Sequence, residues 1–139
     1  MRIALISCTK KKQDLPAGAK AMAKDMYISP LFKGAYRYAQ RNADKIFILS
    51  AKHWLLEETE PVEPYNETLN TKSEDEIKQW AKNVIATLAQ KADLQNDEFI
   101  LLAGDKYRKY LIGSLRHFSI PLEGRPIGEQ LAFYKKENL

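Results

Sequence analysis

Three apolar runs, each handing over at once to a short polar segment, constrain this chain more than any other feature. Ile3-Ala4-Leu5-Ile6 passes into Ser7-Cys8-Thr9-Lys10-Lys11-Lys12, Ile46-Phe47-Ile48-Leu49 into Ser50-Ala51-Lys52-His53, and Phe99-Ile100-Leu101-Leu102 into Ala103-Gly104-Asp105-Lys106. Continuous rather than alternating apolar runs of this length mark strands buried on both faces, as in a parallel sheet. Between them lie segments with helical spacing. The order strand, helix, strand, helix, strand, helix predicts α/β layering. In such a sheet the strand carboxyl ends lie along one edge, where ligands bind. The pattern therefore predicts one gathering place for hydroxyls, a thiol and several cations, suited to an anionic or nucleotide-like molecule.

The helices announce themselves by their starts. Ser29-Pro30 is a serine cap followed by proline at the first helical position, with Leu31, Phe32, Ala35, Tyr36 and Ala39 at helical spacing behind it. Ser73-Glu74-Asp75-Glu76 reads as a capping box ahead of the stripe Ile77, Trp80, Ala81, Val84, Ile85 and Leu88. A third helix is predicted over Lys106 to Arg116, with Tyr107, Tyr110, Leu111 and Leu115 on its inner face, and a terminal one over Glu129 to Lys136. A short fourth strand is predicted over Ser119 to Leu122, and Gln13 to Tyr27 as a long irregular loop. The expected fold is a single α/β domain over residues 1–139, with a mostly parallel sheet of about four strands.

Composition excludes several classes of function. No apolar run approaches the roughly 18 residues that a membrane span needs, so no membrane partner is expected. The apolar start is too short for a signal peptide, which makes the cytoplasm the expected location. One cysteine permits neither an internal disulfide nor a CxxC site, and two histidines make a zinc site improbable, so no metal is expected. The polar turns lack the glycines of a P-loop or dinucleotide fingerprint, and no cofactor is expected. The formal net charge is only +4, yet it is uneven: residues 1–45 hold ten Lys and Arg against three Asp and Glu, while residues 46–80 hold three against eight. A basic first third attracts phosphates, or is a solvated lysine-rich loop.

The candidate chemistry sits at the strand ends. Ser7, Cys8, Thr9 and Lys10 form a turn whose backbone N–H groups can face an anion. Cys8 is a pocket-lining thiol, a nucleophile if neighbouring lysines lower its pKa, or an inert buried residue. Ser50 and Lys52 form a second binding segment, and His53 is a candidate general acid or base. Glu63-Pro64-Tyr65-Asn66-Glu67 brings a carboxylate, a phenol and an amide into a proline-stiffened connector. There Tyr65 is expected to stack on a base, and Glu63 or Asn66 to position water or a sugar. Gly104, Tyr107 and Arg108 follow the third strand, Asp105 being either a helix cap or a ligand contact. Lys10, Lys52 and Arg108 are the expected phosphate ligands. Cleavage of an N-glycosidic bond would pass through an oxocarbenium-like state that a nearby carboxylate stabilises.

At these same segments the chain resembles a family of small bacterial and phage proteins described as YaaA-like or peroxide-stress-like. The resemblance runs from Ile3 to Tyr134. It rests on Ser-Cys-Thr-Lys-Lys-Lys at 7–12, Tyr27 with Ser29-Pro30-Leu31-Phe32, Leu49-Ser50-Ala51-Lys52-His53, Glu63-Pro64-Tyr65 with Thr68-Leu69, Ala103-Gly104 with Tyr107-Arg108, and Gly128-Glu129-Gln130-Leu131. Gly124-Arg125-Pro126-Ile127-Gly128-Glu129-Gln130 brings two glycines and an arginine before the last helix, where the glycines either let the backbone approach a ligand or form plain turns, and Glu129 joins the expected binding residues. Where such relatives commonly have glycine, this chain has Trp54. More distantly it is similar to the uracil-DNA-glycosylase-like domain of archaeosine synthase. That similarity implies a three-layer α/β/α fold and a pocket for a nucleobase or nucleotide. The expected function is binding of such a molecule, as an enzyme acting on a nucleoside, nucleotide or nucleic-acid base. The alternative is a non-catalytic binder of nucleic acid or of a nucleotide signal.

Overall fold

A computed structural model describes residues 1–139. In chain order the elements are β1 (Arg2–Ser7), β2 (Ala21–Met22), α1 (Ala23–Met26), α2 (Pro30–Asn42), β3 (Lys45–Ser50), β4 (Trp54–Glu57), β5 (Pro61–Val62), α3 (Glu74–Ala89), β6 (Glu98–Leu102), α4 (Asp105–Arg108), β7 (His117–Ser119) and α5 (Ile127–Glu137). Five strands form one sheet in the order β4-β3-β1-β6-β7. Four of them run parallel, and β4 returns antiparallel beside β3. The domain is mixed α/β, as expected, with one strand more than the sequence suggests.

β1 sits in the middle. Its residues Ile3 to Ile6, those of β3 from Ile46 to Ser50, and those of β6 from Phe99 to Leu102 are buried without alternation, so both faces of the sheet are covered. The chain leaves β1 for β3 on one side, then crosses back to β6 on the other. Two right-handed crossovers in opposite directions carry α2 and α3 to opposite faces. Ile6 lies level with both Ile48 and Leu102, which brings the carboxyl ends of the three strands to one edge. The bond from Cys8 N–H to Leu49 C=O, 2.9 Å, extends that pairing one residue beyond β1.

Both predicted helix caps form. Ser29 Oγ accepts the Phe32 N–H at 3.1 Å, and Ser73 and Glu76 exchange the two bonds of a capping box. Elsewhere the structure corrects the expectation. The helix predicted over 106–116 is one turn, α4, followed by a 3-10 turn at Ile112–Ser114. Tyr107, Leu111 and Leu115 are buried as their spacing predicts, whereas Tyr110, expected on the same inner face, is only partly buried and turns its hydroxyl to Glu74 at the surface. The backbone nonetheless closes i→i−3, with Leu111 N–H on Arg108 C=O and Leu115 N–H on Ile112 C=O, and Gly113 is a poor helix former at that point. The fourth parallel strand is His117–Ser119, earlier than expected. The stretch 13–27 is also less irregular: Lys12 bridges Tyr27, and β2 pairs antiparallel with β5, laying this loop against the connector that follows β4.

α2 and α5 pack closely because Gly34 lets them. A Cβ on Gly34 would lie 2.8 Å from Tyr134 Cβ, where no ordinary contact is possible. The Asn138 side chain donates to the Gly34 carbonyl at 3.1 Å, fixing the same approach. The variant Gly34→Ala is expected to lose about 1–3 kcal/mol, the usual cost of overpacking a filled interface. Chemical denaturation measures it; unchanged stability would show that α5 can shift freely.

Candidate functional site

The crossovers diverge between β1 and β6, and a cleft of about 560 Å³ opens there. Ile6 to Thr9 from the end of β1 and Leu101 to Arg108 from the end of β6 form its base. Leu31, Phe32 and Ala35 of α2 wall one side, while Ile120, Leu122, Gly124, Arg125 and, from α5, Gln130 and Tyr134 wall the other. This is the topological switch point of the sheet, the place where α/β sheets bind ligands.

Short hydrogen-bonded contacts hold the base of the cleft. Ser29 Oγ donates to Thr9 Oγ1 at 3.0 Å, tying the end of β1 to the cap of α2. Cys8 Sγ lies 3.4 Å from Tyr107 Oη, which also accepts the Leu69 N–H at 3.5 Å. Trp80 of α3 meets the Tyr107 ring edge-on at 5.5 Å. Burial pushes the Tyr107 phenol well above its ordinary range, so it stays protonated at neutral pH.

The cations around the cleft have few partners. Arg108 Nη1 donates to the Ala103 carbonyl at 2.7 Å. Arg125 lies over the Phe133 ring at 5.4 Å. Lys106 Nζ reaches the Asn70 carbonyl at 3.4 Å. None of the three joins a salt bridge. Asp105 is the one carboxylate among the lining residues. A pocket of this size, mostly apolar with a cationic rim, suits a small organic anion.

The second strand end is built differently. Ser50 Oγ, fully buried, accepts the N–H groups of Lys52 at 3.3 Å and His53 at 3.0 Å. A serine oxygen has two lone pairs and one proton, so its proton is left for Tyr65 Oη, 2.8 Å away. Tyr65 Oη also shares a hydrogen bond with Tyr27 Oη at 2.5 Å. The indole N–H of Trp80 takes the Ser50 carbonyl at 2.8 Å. Lys12 Nζ sits 4.5 Å above the Tyr65 ring, a cation–π contact, and its partial burial lowers its pKa. Burial also raises the pKa values of Tyr27 and Tyr65, which keeps this relay neutral.

The structure thus divides the residues singled out in the sequence. Ser7, Cys8, Thr9, Gly104, Tyr107 and Arg108 come together in the cleft. Lys52, His53 and Glu63 line a separate depression of about 350 Å³ beside β4, together with Lys20 and Glu60. Ser50 and Tyr65 lie buried in the hydroxyl relay, where the Tyr65 ring faces Lys12 and His53. Lys10, Asn66 and Glu129 are exposed and line neither space. Tyr134 also lines the cleft, from outside the expected site, and so do Lys106, Arg125 and Gln130, which the sequence placed near it without a binding role. The available signal was the turn Gly124-Arg125-Pro126, where Gly124 adopts φ +77°, a conformation that glycine accepts and other residues resist.

Trp54 has φ +63°, a strained backbone for a residue other than glycine, and its side chain is 46% exposed. The left-handed region costs a non-glycine residue about 1–2 kcal/mol, and glycine returns about 0.5–1 kcal/mol through its freer unfolded chain. Trp54→Gly relieves that strain but also removes the covered half of the indole, which at about 25 cal/mol per Å² is worth more, so a net loss of about 1–2 kcal/mol is expected; a gain in denaturation would show that the strain outweighs the indole contacts. His53 gives a second measurement. Burial and then the adjacent Lys52 charge hold its imidazole below the ordinary value of about 6.5. A base whose folded pKa is depressed destabilises the fold as pH falls below about 6.5 towards the folded value, because the unfolded chain takes up the proton first. NMR titration should find the His53 midpoint below about 6.5, moving upward in Lys52→Ala. A midpoint unmoved by that change would remove Lys52 as a cause.

Comparison with known proteins places this geometry in a family. The model of a family of unknown function, DUF6884, matches residues 3–136. The chain is also similar to the uncharacterised protein YfjM of Bacillus subtilis (strain 168), with 35% identity over 127 residues, covering 87% of this chain and 83% of that protein. The match takes in β1, the cleft and most of α5, and the chain belongs to the DUF6884 family.

Proposed function

We propose that the protein binds a nucleobase- or nucleotide-type molecule in the cleft between β1 and β6, and acts on it as an enzyme. One observation carries this reading. The cleft joins apolar and aromatic walls, Leu31, Phe32 and Tyr134, to three cations that have no acidic partner. A flat heterocycle needs the first and a phosphate the second. The YaaA-like and uracil-DNA-glycosylase-like relations suggested by the sequence agree with a parallel sheet whose carboxyl edge carries the pocket, and they belong to this proposal.

For chemistry at an N-glycosidic bond, the cleft offers Asp105 as a carboxylate beside the bound molecule. The connector offers Glu63, with His53 in the same depression as a proton carrier, and Asn66 exposed further along it. Glu63 and His53 share the depression next to β4, so this second set works on a ligand that extends across the strand ends.

A second reading rests on a separate observation. Of the ten cations in residues 1–45, only Arg2 and Lys45 form salt bridges, which leaves Lys10, Lys11, Lys20, Lys33 and Arg37 exposed without partners. That surface favours a non-catalytic nucleic-acid binder.

Mass spectrometry of a mixed nucleoside, nucleotide and single-stranded DNA pool, after incubation with the protein, tests the enzyme. A released base is expected. Loss of product in Asp105→Asn places the chemistry in the cleft; loss in Glu63→Gln or Asn66→Ala places it on the connector. An unchanged pool overturns the enzymatic reading, and DNA binding that weakens steeply with salt would then establish the second.

A further inference from the structure

The cationic side of the cleft has a definite donor capacity. A guanidinium carries five N–H groups. Arg108 spends one on the Ala103 carbonyl, and the Arg125 side chain makes no hydrogen bond to the protein. Lys106 makes a single long bond to Asn70. Set against Asp105, the cleft holds an excess of cations over carboxylates. The turn that carries Arg125 is fixed by Arg125 N–H on Leu122 C=O at 3.1 Å and by the Gln130 side chain on Arg125 C=O at 2.8 Å. Its guanidinium is therefore delivered from a held backbone.

Charge separates the possible ligands. An internal phosphodiester carries one negative charge and two free oxygens, whereas a phosphate monoester carries about −1.5 to −2 at pH 7 and offers three acceptor oxygens. Two guanidiniums approaching from different elements, α4 and the turn before α5, can divide between them the three oxygens and nearly two charges of a monoester. A diester offers the pair only two oxygens and one charge.

We infer that the ligand of this cleft carries a terminal phosphate monoester, clamped by Arg108 and Arg125 with Lys106 beside them, so that it takes mononucleotides in preference to internal positions of a polynucleotide. This inference rests on the reading of the cleft as a nucleotide site. Leu31, Phe32 and Tyr134 receive the base.

Calorimetric titration of the whole protein at low salt tests it, with three matched sets of probes: nucleosides, their 5′-monophosphates, and their 3′,5′-cyclic monophosphates. The cyclic forms keep base and sugar but present a diester. The monophosphate of the preferred base should bind at least about tenfold more tightly than the other two forms, the scale of a strong charge-assisted pair. That ratio should fall towards one in Arg125→Gln and in Arg108→Lys. It should also fall at pH 5, below the second phosphate pKa of about 6. Arg125 is exposed and its side chain meets the fold only over the Phe133 ring, so Arg125→Gln tests the clamp at small cost to folding, which chemical denaturation of the variant checks. Binding of nucleosides and cyclic forms as tight as the monophosphates would overturn the monoester inference and leave the cleft reading intact. Binding of none of the three would overturn both.

Discussion

β1 is the constraint on which the rest of this molecule depends. A parallel strand at the centre of a sheet must be covered on both faces, and Ile3 to Ile6 are buried almost completely. Covering both faces requires one crossover to each side. The chain leaves β1 for β3 on one side and later crosses back past β1 to β6 on the other, so the loops that follow β1 and β6 run apart. The cleft is the consequence. Cys8, Thr9 and the Gly104–Arg108 segment meet at that edge because of strand order, before any of their chemistry is considered.

The connector after β4 turns that edge into one continuous feature. Tyr65 anchors it to Ser50 and Tyr27 at the end of β3. Leu69 then donates to Tyr107, and the Asn70 carbonyl meets Lys106 at the end of β6. Both strand ends are therefore gripped by the same stretch of chain. Lys52, His53 and Glu63 lie at one end of it and the cationic cleft at the other. Net stabilisation from each buried hydroxyl bond is about 1 kcal/mol, but an orphaned partner costs more, so the relay defines position more than it adds stability.

Local physics was legible in the sequence wherever a local rule governed it. The Ser29 and Ser73 caps, the continuous burial of three strands and the stripe on α3 all follow from spacing and residue type. The segment 106–116 shows the limit of that reasoning. Its apolar spacing identified Tyr107, Leu111 and Leu115 as buried, yet a short run closing i→i−3 places Tyr107 and Leu111 inward as well as a helix does and leaves Tyr110 only partly buried, on Glu74. Residue roles that depend on distant partners were not legible. Tyr65 reads as an exposed stacking ring beside two prolines, and nothing local reveals that Ser50 and Tyr27 hold its hydroxyl. Arg125 sits in a turn whose meaning comes only from the return of α5 to α2 through Gly34 and Tyr134.

The β3–β4 turn shows how a local rule can be overridden. Ser50 pairs with Trp54 across the hairpin, so only Ala51, Lys52 and His53 are available to reverse the chain. Both N–H groups at 52 and 53 are already committed to Ser50 Oγ, and the Ser50 carbonyl is committed to Trp80. With the turn held from both sides, the residue that re-enters the sheet must absorb the remaining rotation, and Trp54 does so at φ +63°. The strain is thus a result of how tightly Lys52 and His53 are presented, since relaxing it would release one of the bonds that orient them.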